Sequence, residues 1–145
     1  MPDVAGLLRE PRRSWATGPP GDEATIRSLG ETAPIELPPE YIDLLRHCDG
    51  GEGPLALRPL YFVLYSAEFA AELNASSEHR DQYPGYFVFG SNGGLESIAF
   101  DIRAARPWPV AMYDPTEGVE SAVVIAEDMA TFMSAIGLEA PEENA

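Results

Sequence analysis

The sequence predicts an α+β domain: a twisted, mainly antiparallel sheet of about five or six strands with helices packed on it. Three observations carry this. Apolar residues recur at i, i+3, i+4, i+7 in two places, as Tyr41, Leu44, Leu45, Cys48 and as Met129, Phe132, Met133, Ile136, so each run has one apolar helical stripe. Between them lie short β-prone runs separated by glycine-, asparagine- and proline-bearing turns. Helices come first and last with strands between, an order that argues for helices laid on one face of a twisted sheet.

The centre of the pattern is Tyr86–Asp101. Two β-prone runs, Tyr86–Gly90 and Ser97–Asp101, flank a polar, glycine-rich corner. Phe87 and Phe89 share a strand face, as do Ile98 and Phe100. Asn92-Gly93 predicts a hairpin with a type I′ turn, because both residues tolerate positive φ.

The remaining elements follow in chain order. Val4–Glu10 is a short helix ended by Pro11, and Gly18-Pro-Pro-Gly21 reads as a loose or extended arm. Trp15 is expected to pack on the domain. Asp22 caps a short helix that Gly30 stops. Leu37-Pro-Pro-Glu-Tyr41 opens the clearest helix, since proline fits a first turn whose N–H groups are unpaired anyway. Gly50 ends that stretch, and Asp49–Pro54 is free to turn sharply. Leu55–Leu57 is a short strand and Leu60–Tyr65 a longer one. Ser66 caps a helix over Ala67–Asn74, and Ala75–Pro84 reads as an exposed loop. Val110–Tyr113 and Ser121–Ile125 pair around Asp114–Gly118. Asp128 caps the last helix, which Gly137 closes. The expected organisation is an arm over 1–21, one domain over 22–138 and an acidic tail over 139–145.

Composition limits the chemistry. The chain has 145 residues, which suits one domain, and a formal net charge of −15. All nine basic residues are arginine. Without lysine there is no phosphate-loop lysine, no Schiff base and no lysine general base. Two histidines, one cysteine and no Cys-x-x-Cys leave no familiar zinc site, so no cofactor or metal is expected. The charge repels nucleic acid and anionic membranes and favours basic proteins as partners. Cys48 alone makes no internal disulfide, and no secretory leader opens the chain, so a reducing cytoplasm is the expected location. The sequence does not fix the oligomeric state, monomer or weak dimer.

Several motif look-alikes fail. His79-Arg80-Asp81 copies a kinase catalytic-loop triplet, but its partner asparagine position holds Tyr86 and the kinase lysine is missing. Phe89-Gly-Ser-Asn-Gly93 lacks the first glycine of a nucleophile elbow. Gly93-Gly94 precedes no helix and so cradles no phosphate. Asp101 is placed to brace the turn after its strand through backbone N–H groups. Tyr41 reads as a core residue with its hydroxyl near the surface.

The order of motifs is similar to that of the SUKH superfamily. Leu37-Pro-x-x-Tyr41 opens an amphipathic helix, Asp49-Gly-Gly-Glu-Gly53 stands at its end, and Phe89-Gly-Ser-Asn-Gly-Gly-x-Glu-x-Ile-Ala-Phe-Asp101 resembles the second signature. A strand pair and a closing helix with Phe132 complete a likeness over roughly residues 22–138. Asp49 departs from the asparagine more usual before the glycines. The resemblance implies an α+β domain without catalytic residues. Bacterial members are largely immunity proteins that block polymorphic toxin domains, many of them nucleases, and fungal members regulate cell-wall synthesis and signalling by protein contacts.

That resemblance and the charge together point to a non-enzymatic binder of a basic protein, with a cognate toxin as first choice. An acidic partner mimics the charge of a nuclease's substrate. The candidate partner-binding residues are the loop acids Asp49, Glu52, Glu96, Asp114 and Glu117. The plainer alternative is that Asp49 caps a turn and the other four are only solvated. A regulatory or scaffold protein of the same fold is the alternative function, followed by a small carboxylate-cleft hydrolase or ligand-binding domain.

Overall fold

The computed structural model describes residues 4–32, 36–103 and 105–139. Among these, the strands are β1 (Ala16–Thr17), β2 (Gly51–Pro54), β3 (Tyr61–Leu64), β4 (Tyr86–Ser91), β5 (Ser97–Asp101), β6 (Val110–Tyr113) and β7 (Val123–Ala126). They form one seven-stranded sheet in chain order, and every neighbouring pair is antiparallel. The helices are α1 (Val4–Leu8), α2 (Glu23–Thr32), α3 (Pro39–His47), α4 (Ala67–Ala75), α5 (Ser77–Gln82) and α6 (Met129–Ala135). The fold is therefore α+β, as the sequence predicts. Two of the seven strands were not expected, β1 from the arm and β2, while the expected Leu55–Leu57 strand is absent.

The main core lies between one sheet face and the helices. Phe62, Phe87, Phe89, Ile98 and Phe100 come from the sheet, Tyr41, Leu44 and Leu45 from α3, and Met129, Phe132 and Met133 from α6. Phe89 sits at its middle. Its ring stacks on Phe100 at 4.3 Å and meets Tyr41, Phe62 and Phe132 at 5.4–5.8 Å. Tyr41 is wholly buried, so its hydroxyl lies inside the core and not near the surface. Both rings that flank it, Phe89 and Phe100, hold it there. Cys48 is also buried, and the loss of water pushes its thiol up to about 11.

A bulge sets the register of β4. Val88 pairs with Ala99 and Gly90 with Ile98, so Phe89 is an extra residue between them. Gly90 then faces the same side as Ile98. A side chain there would meet Val63 O at 2.4 Å and the Phe62 ring at 2.5 Å, which leaves room for glycine alone.

The opposite sheet face carries a smaller cluster of Tyr86, Val88, Ala99, Ala111 and Tyr113. Tyr65 N still donates to Phe89 O at 3.1 Å; beyond it the chain turns away from β4, and α4 fills the gap. The buried Asn74 closes the ladder there. Its Oδ1 accepts from Val88 N at 2.9 Å, and its Nδ2 donates to Val88 O at 2.8 Å. One side-chain amide thus replaces a missing strand residue.

Several local expectations change. The Asn92-Gly93 corner is not a two-residue turn: Ser91 pairs with Ser97, leaving Asn92–Glu96 as a five-residue loop. Gly93 has φ +80° but Asn92 stays out of the positive region. Instead, Asn92 Oδ1 accepts from the Gly94 and Glu96 N–H groups, a local side-chain turn. Ala75–Pro84 contains α5, capped by Ser76 Oγ accepting from His79 N. Its polar, exposed faces hid it from apolar periodicity. Gly30 does not stop α2, which runs on to Thr32. Gly51–Pro54 is a strand where a loop was expected, because Gly50 (φ +99°) makes the turn before it and Gly51 (φ +145°) opens the strand. Leu55 makes only a single bridge, to Ile136. Val123 and not Ser121 begins β7, since Val119–Ser121 is one 3-10 turn.

The arm is docked, not loose. Trp15 stacks on Phe62 at 5.8 Å. The nearly enclosed Arg13 side chain donates to Ile136 O at 2.6 Å and pairs with Glu10 at 2.7 Å. It thereby meets carbonyls at the C-terminal end of α6, where positive charge is favoured. Arg12 also reaches Glu10. Of the acidic tail, all but Glu139 lies outside the described residues.

Asn74→Leu keeps the branched shape and removes both bonds to Val88. Two buried backbone groups then lose their partners, at a cost of about 2–4 kcal/mol. Urea unfolding measures it. A loss below about 0.5 kcal/mol, within the range of an ordinary surface change, contradicts the strand-substitute role.

Candidate functional site

The sheet register places the predicted acids. One row of paired residues runs Glu52, Val63, Ser91, Ser97, Tyr113 across β2 to β6. Four interstrand spacings of about 4.8 Å make this row roughly 20 Å wide. Glu52 stands in the row itself. Glu96 directly precedes Ser97, and Asp114 directly follows Tyr113. Glu117 lies in the turn that leads towards β7. Four of the five acids are therefore gathered along one end of the sheet.

Asp49 is placed differently. Its Oδ1 accepts from Ala67 N at 2.8 Å, and so it holds the first turn of α4. Ser66 Oγ accepts from Phe69 N in the same turn. Asp49 is half-buried and precedes β2, toward the end of β2 and β3 from which α4 departs. Its carboxylate has a structural task in this position.

The other acids are held with different firmness. Glu52 accepts a short hydrogen bond from the Tyr61 hydroxyl, which raises the tyrosine's pKa. Glu96 accepts from Asn92 Nδ2 at 2.6 Å, within the loop that Asn92 Oδ1 also organises. Asp114 Oδ1 accepts from Thr116 N at 2.8 Å, and Ser121 Oγ accepts from Asp114 N. Glu117 is exposed. Tyr83 ties this turn to α5 by donating to Pro115 O at 2.8 Å.

Apolar residues that the sequence reading did not single out sit among these acids. Leu95, at the tip of the Asn92–Glu96 loop, is 74% exposed, and Leu60 is 55% exposed. Tyr61 lies under the same loop: a side chain on Gly93 would touch its ring at 3.3 Å. The signal for Leu95 was available, as a lone large apolar residue between Gly94 and Glu96. The signal for Leu60 was hidden, because a β-prone run normally buries its leucines. Leu60 has φ +77°, at the close of the tight β2–β3 connection, and this turns it outward.

The surface offers acids with fixed positions and apolar groups between them, a mixture suited to a basic protein face. Among the described residues, no three or more His, Cys, Asp or Glu side chains converge on a point where a metal could sit. Trp108 and the two helix starts Pro38–Glu40 and Asp128–Ala130 line a separate half-open pocket of about 370 Å³, with Arg106 at its wall. His79 packs against Tyr83, and burial lowers its pKa. No helix of the described residues is long and apolar enough to cross a membrane.

Asp101 performs the bracing task expected of it. It accepts from Arg103 N at 3.1 Å and from the Arg103 guanidinium at 2.8 and 2.9 Å. The bond from the Arg103 side chain is the main reason its pKa falls below the usual 3.8. The folded-state value is depressed, so this stabilisation is present above the unfolded pKa and is lost as pH falls through the folded one. Asp101→Asn is therefore expected to lower stability at neutral pH. The gap to the parent chain should close as pH drops well below 3.8. Urea unfolding across that range checks the sign; a gap that stays constant contradicts it.

The model of the SMI1 / KNR4 family (SUKH-1) matches residues 20–135. No curated protein matches the chain. The matched span takes in α2 to α6 and β2 to β7, and leaves most of the docked arm outside.

Proposed function

This chain belongs to the SMI1/KNR4 (SUKH-1) family, and on that premise we propose that it is a non-enzymatic immunity protein that binds and neutralises a cognate toxin. The family includes immunity proteins. The toxin carries a basic surface, as a nuclease must where it meets phosphate. The acidic chain closes that surface by presenting Glu52, Glu96, Asp114 and Glu117 with Tyr61, Leu60 and Leu95 between them. Asp49 contributes indirectly, by fixing the start of α4.

The observation that supports this reading best is the row across the sheet. It sets acids from β2 and two separate loops along one end of the sheet, with exposed apolar groups among them. A net charge of −15 adds long-range attraction to a basic partner. The work is done by the surface and needs no cofactor. The chain acts in the cytoplasm, where its toxin would act.

The test is neutralisation. Toxin-domain proteins encoded beside this chain are expressed with and without it, and cell survival is scored. The parent chain should restore growth. A single Glu117→Gln change should weaken binding by about threefold or less, because interface energy is shared and a rim charge contributes modestly. The triple change Glu52→Gln, Glu96→Gln, Glu117→Gln should weaken it by about tenfold or more. Equal binding by the triple variant, with its fold intact by circular dichroism, would remove the acidic edge from the account. A single amide change that abolishes a chemical turnover would replace the binder with an enzyme.

A further inference from the structure

The two edges of the sheet are built differently. β1 is two residues long and is followed by Pro19 and Pro20, so it offers little for another strand to join. β7 is the other edge, paired only with β6 among the described residues. Its four residues, Val-Val-Ile-Ala, include no charge and no proline. Val123 is 47% exposed and Val124 is 61% exposed. By pairing, Val124 lies beside Ala111, on the sheet face of the smaller cluster, and Val123 lies beside Met112 on the other. The open side of β7, which bulges at Ile125, therefore combines a backbone edge that pairs with no other strand among the described residues with an apolar side chain on each face.

Acids stand at both ends of this strand. Glu117 and Glu120 precede it and Glu127 follows it, all exposed. This charge pattern selects the occupant. Two copies pairing β7 to β7 about a two-fold axis would run antiparallel and bring Glu120 of one copy towards Glu127 of the other. Each copy also carries −15. A strand with apolar residues flanked by arginine or lysine would meet the same acids favourably.

We infer that β7 is a strand-addition site, which extends the sheet by one extended segment of a basic protein with apolar residues between basic flanks. The backbone ladder supplies affinity that tolerates sequence change, while Val123 and Val124 contact alternate side chains of the added strand. β7 begins beside the turn that carries Asp114 and Glu117, so this site continues the acidic edge. The inference rests on the reading of the chain as a binder of basic proteins.

The experiment titrates the isotope-labelled full chain with a synthetic peptide of alternating valine and threonine flanked by arginine pairs. Its two controls are the same peptide N-methylated along one edge and a peptide with glutamate flanks. Amide signals of Val123–Ala126 should shift and gain protection from solvent exchange. The N-methylated peptide should bind at least about tenfold more weakly, since it keeps side chains and charge but loses ladder donors. The glutamate-flanked peptide should bind at least about tenfold more weakly through charge. Val124→Ser, on an exposed side chain, should weaken binding a few-fold and leave folding unchanged.

Equal binding of the N-methylated peptide, or shifts confined to residues outside Val123–Ala126, would overturn the proposal. So would concentration-dependent shifts of β7 without peptide, which make a second copy the occupant. A toxin neutralised with β7 amides unprotected removes this site and keeps the immunity reading. A peptide that docks on β7 in a chain that neutralises no toxin does the reverse.

Discussion

One extra residue in the fourth strand governs the molecule. The bulge at Phe89 places that ring and the neighbouring Gly90 on the same face. The ring becomes the centre of the core, against Phe100, Tyr41, Phe62 and Phe132. The glycine lets Phe62 and the Val63 carbonyl come close. Aromatic pairs of this kind add about 0.5–1.5 kcal/mol each beyond simple burial. The bulge has a second effect. It moves Ser91 onto the opposite face, in line with Glu52, Val63, Ser97 and Tyr113. Core packing and the position of the acidic edge thus come from one local irregularity.

The rest of the scaffold holds that arrangement in place. Asn74 completes the ladder where β3 leaves β4, so α4 can enter the gap without leaving Val88 unpaired. Asp49 and Ser66 together satisfy the first turn of α4. Arg13 and Trp15 bind the arm to α6 and to Phe62. Each of these contacts limits how far the sheet edge can move, and a rigid edge loses less entropy on binding.

The sequence was legible where one side chain has one task. Tyr41, Leu44 and Leu45 marked a buried helical stripe, and all three are buried. Asp128 marked a helix start, and its Oδ1 does accept from Thr131 N. Reading failed where the task depends on distant chain. The bulge at Phe89 is invisible in simple alternation, since Phe87 and Phe89 look equivalent. Asn92 carries the residue type of a tight turn, but here its side chain, not its φ, builds the loop. Helix α5 has no apolar stripe to find. At the candidate surface, the acids were visible as polar residues and Leu95 carried a signal between Gly94 and Glu96, but Leu60 did not, because its exposure follows from a backbone turn that only the folded chain shows.

Family membership and the shape of the sheet edge meet in one physical claim: an acidic, rigid edge captures a basic protein by charge and holds it by apolar contact. The most direct measurement is the association rate of this chain with the toxin it is proposed to neutralise as ionic strength is varied. Charge-guided capture predicts an association rate that falls at least about tenfold from low to physiological salt, while the dissociation rate changes little. An association rate indifferent to salt would contradict the claim.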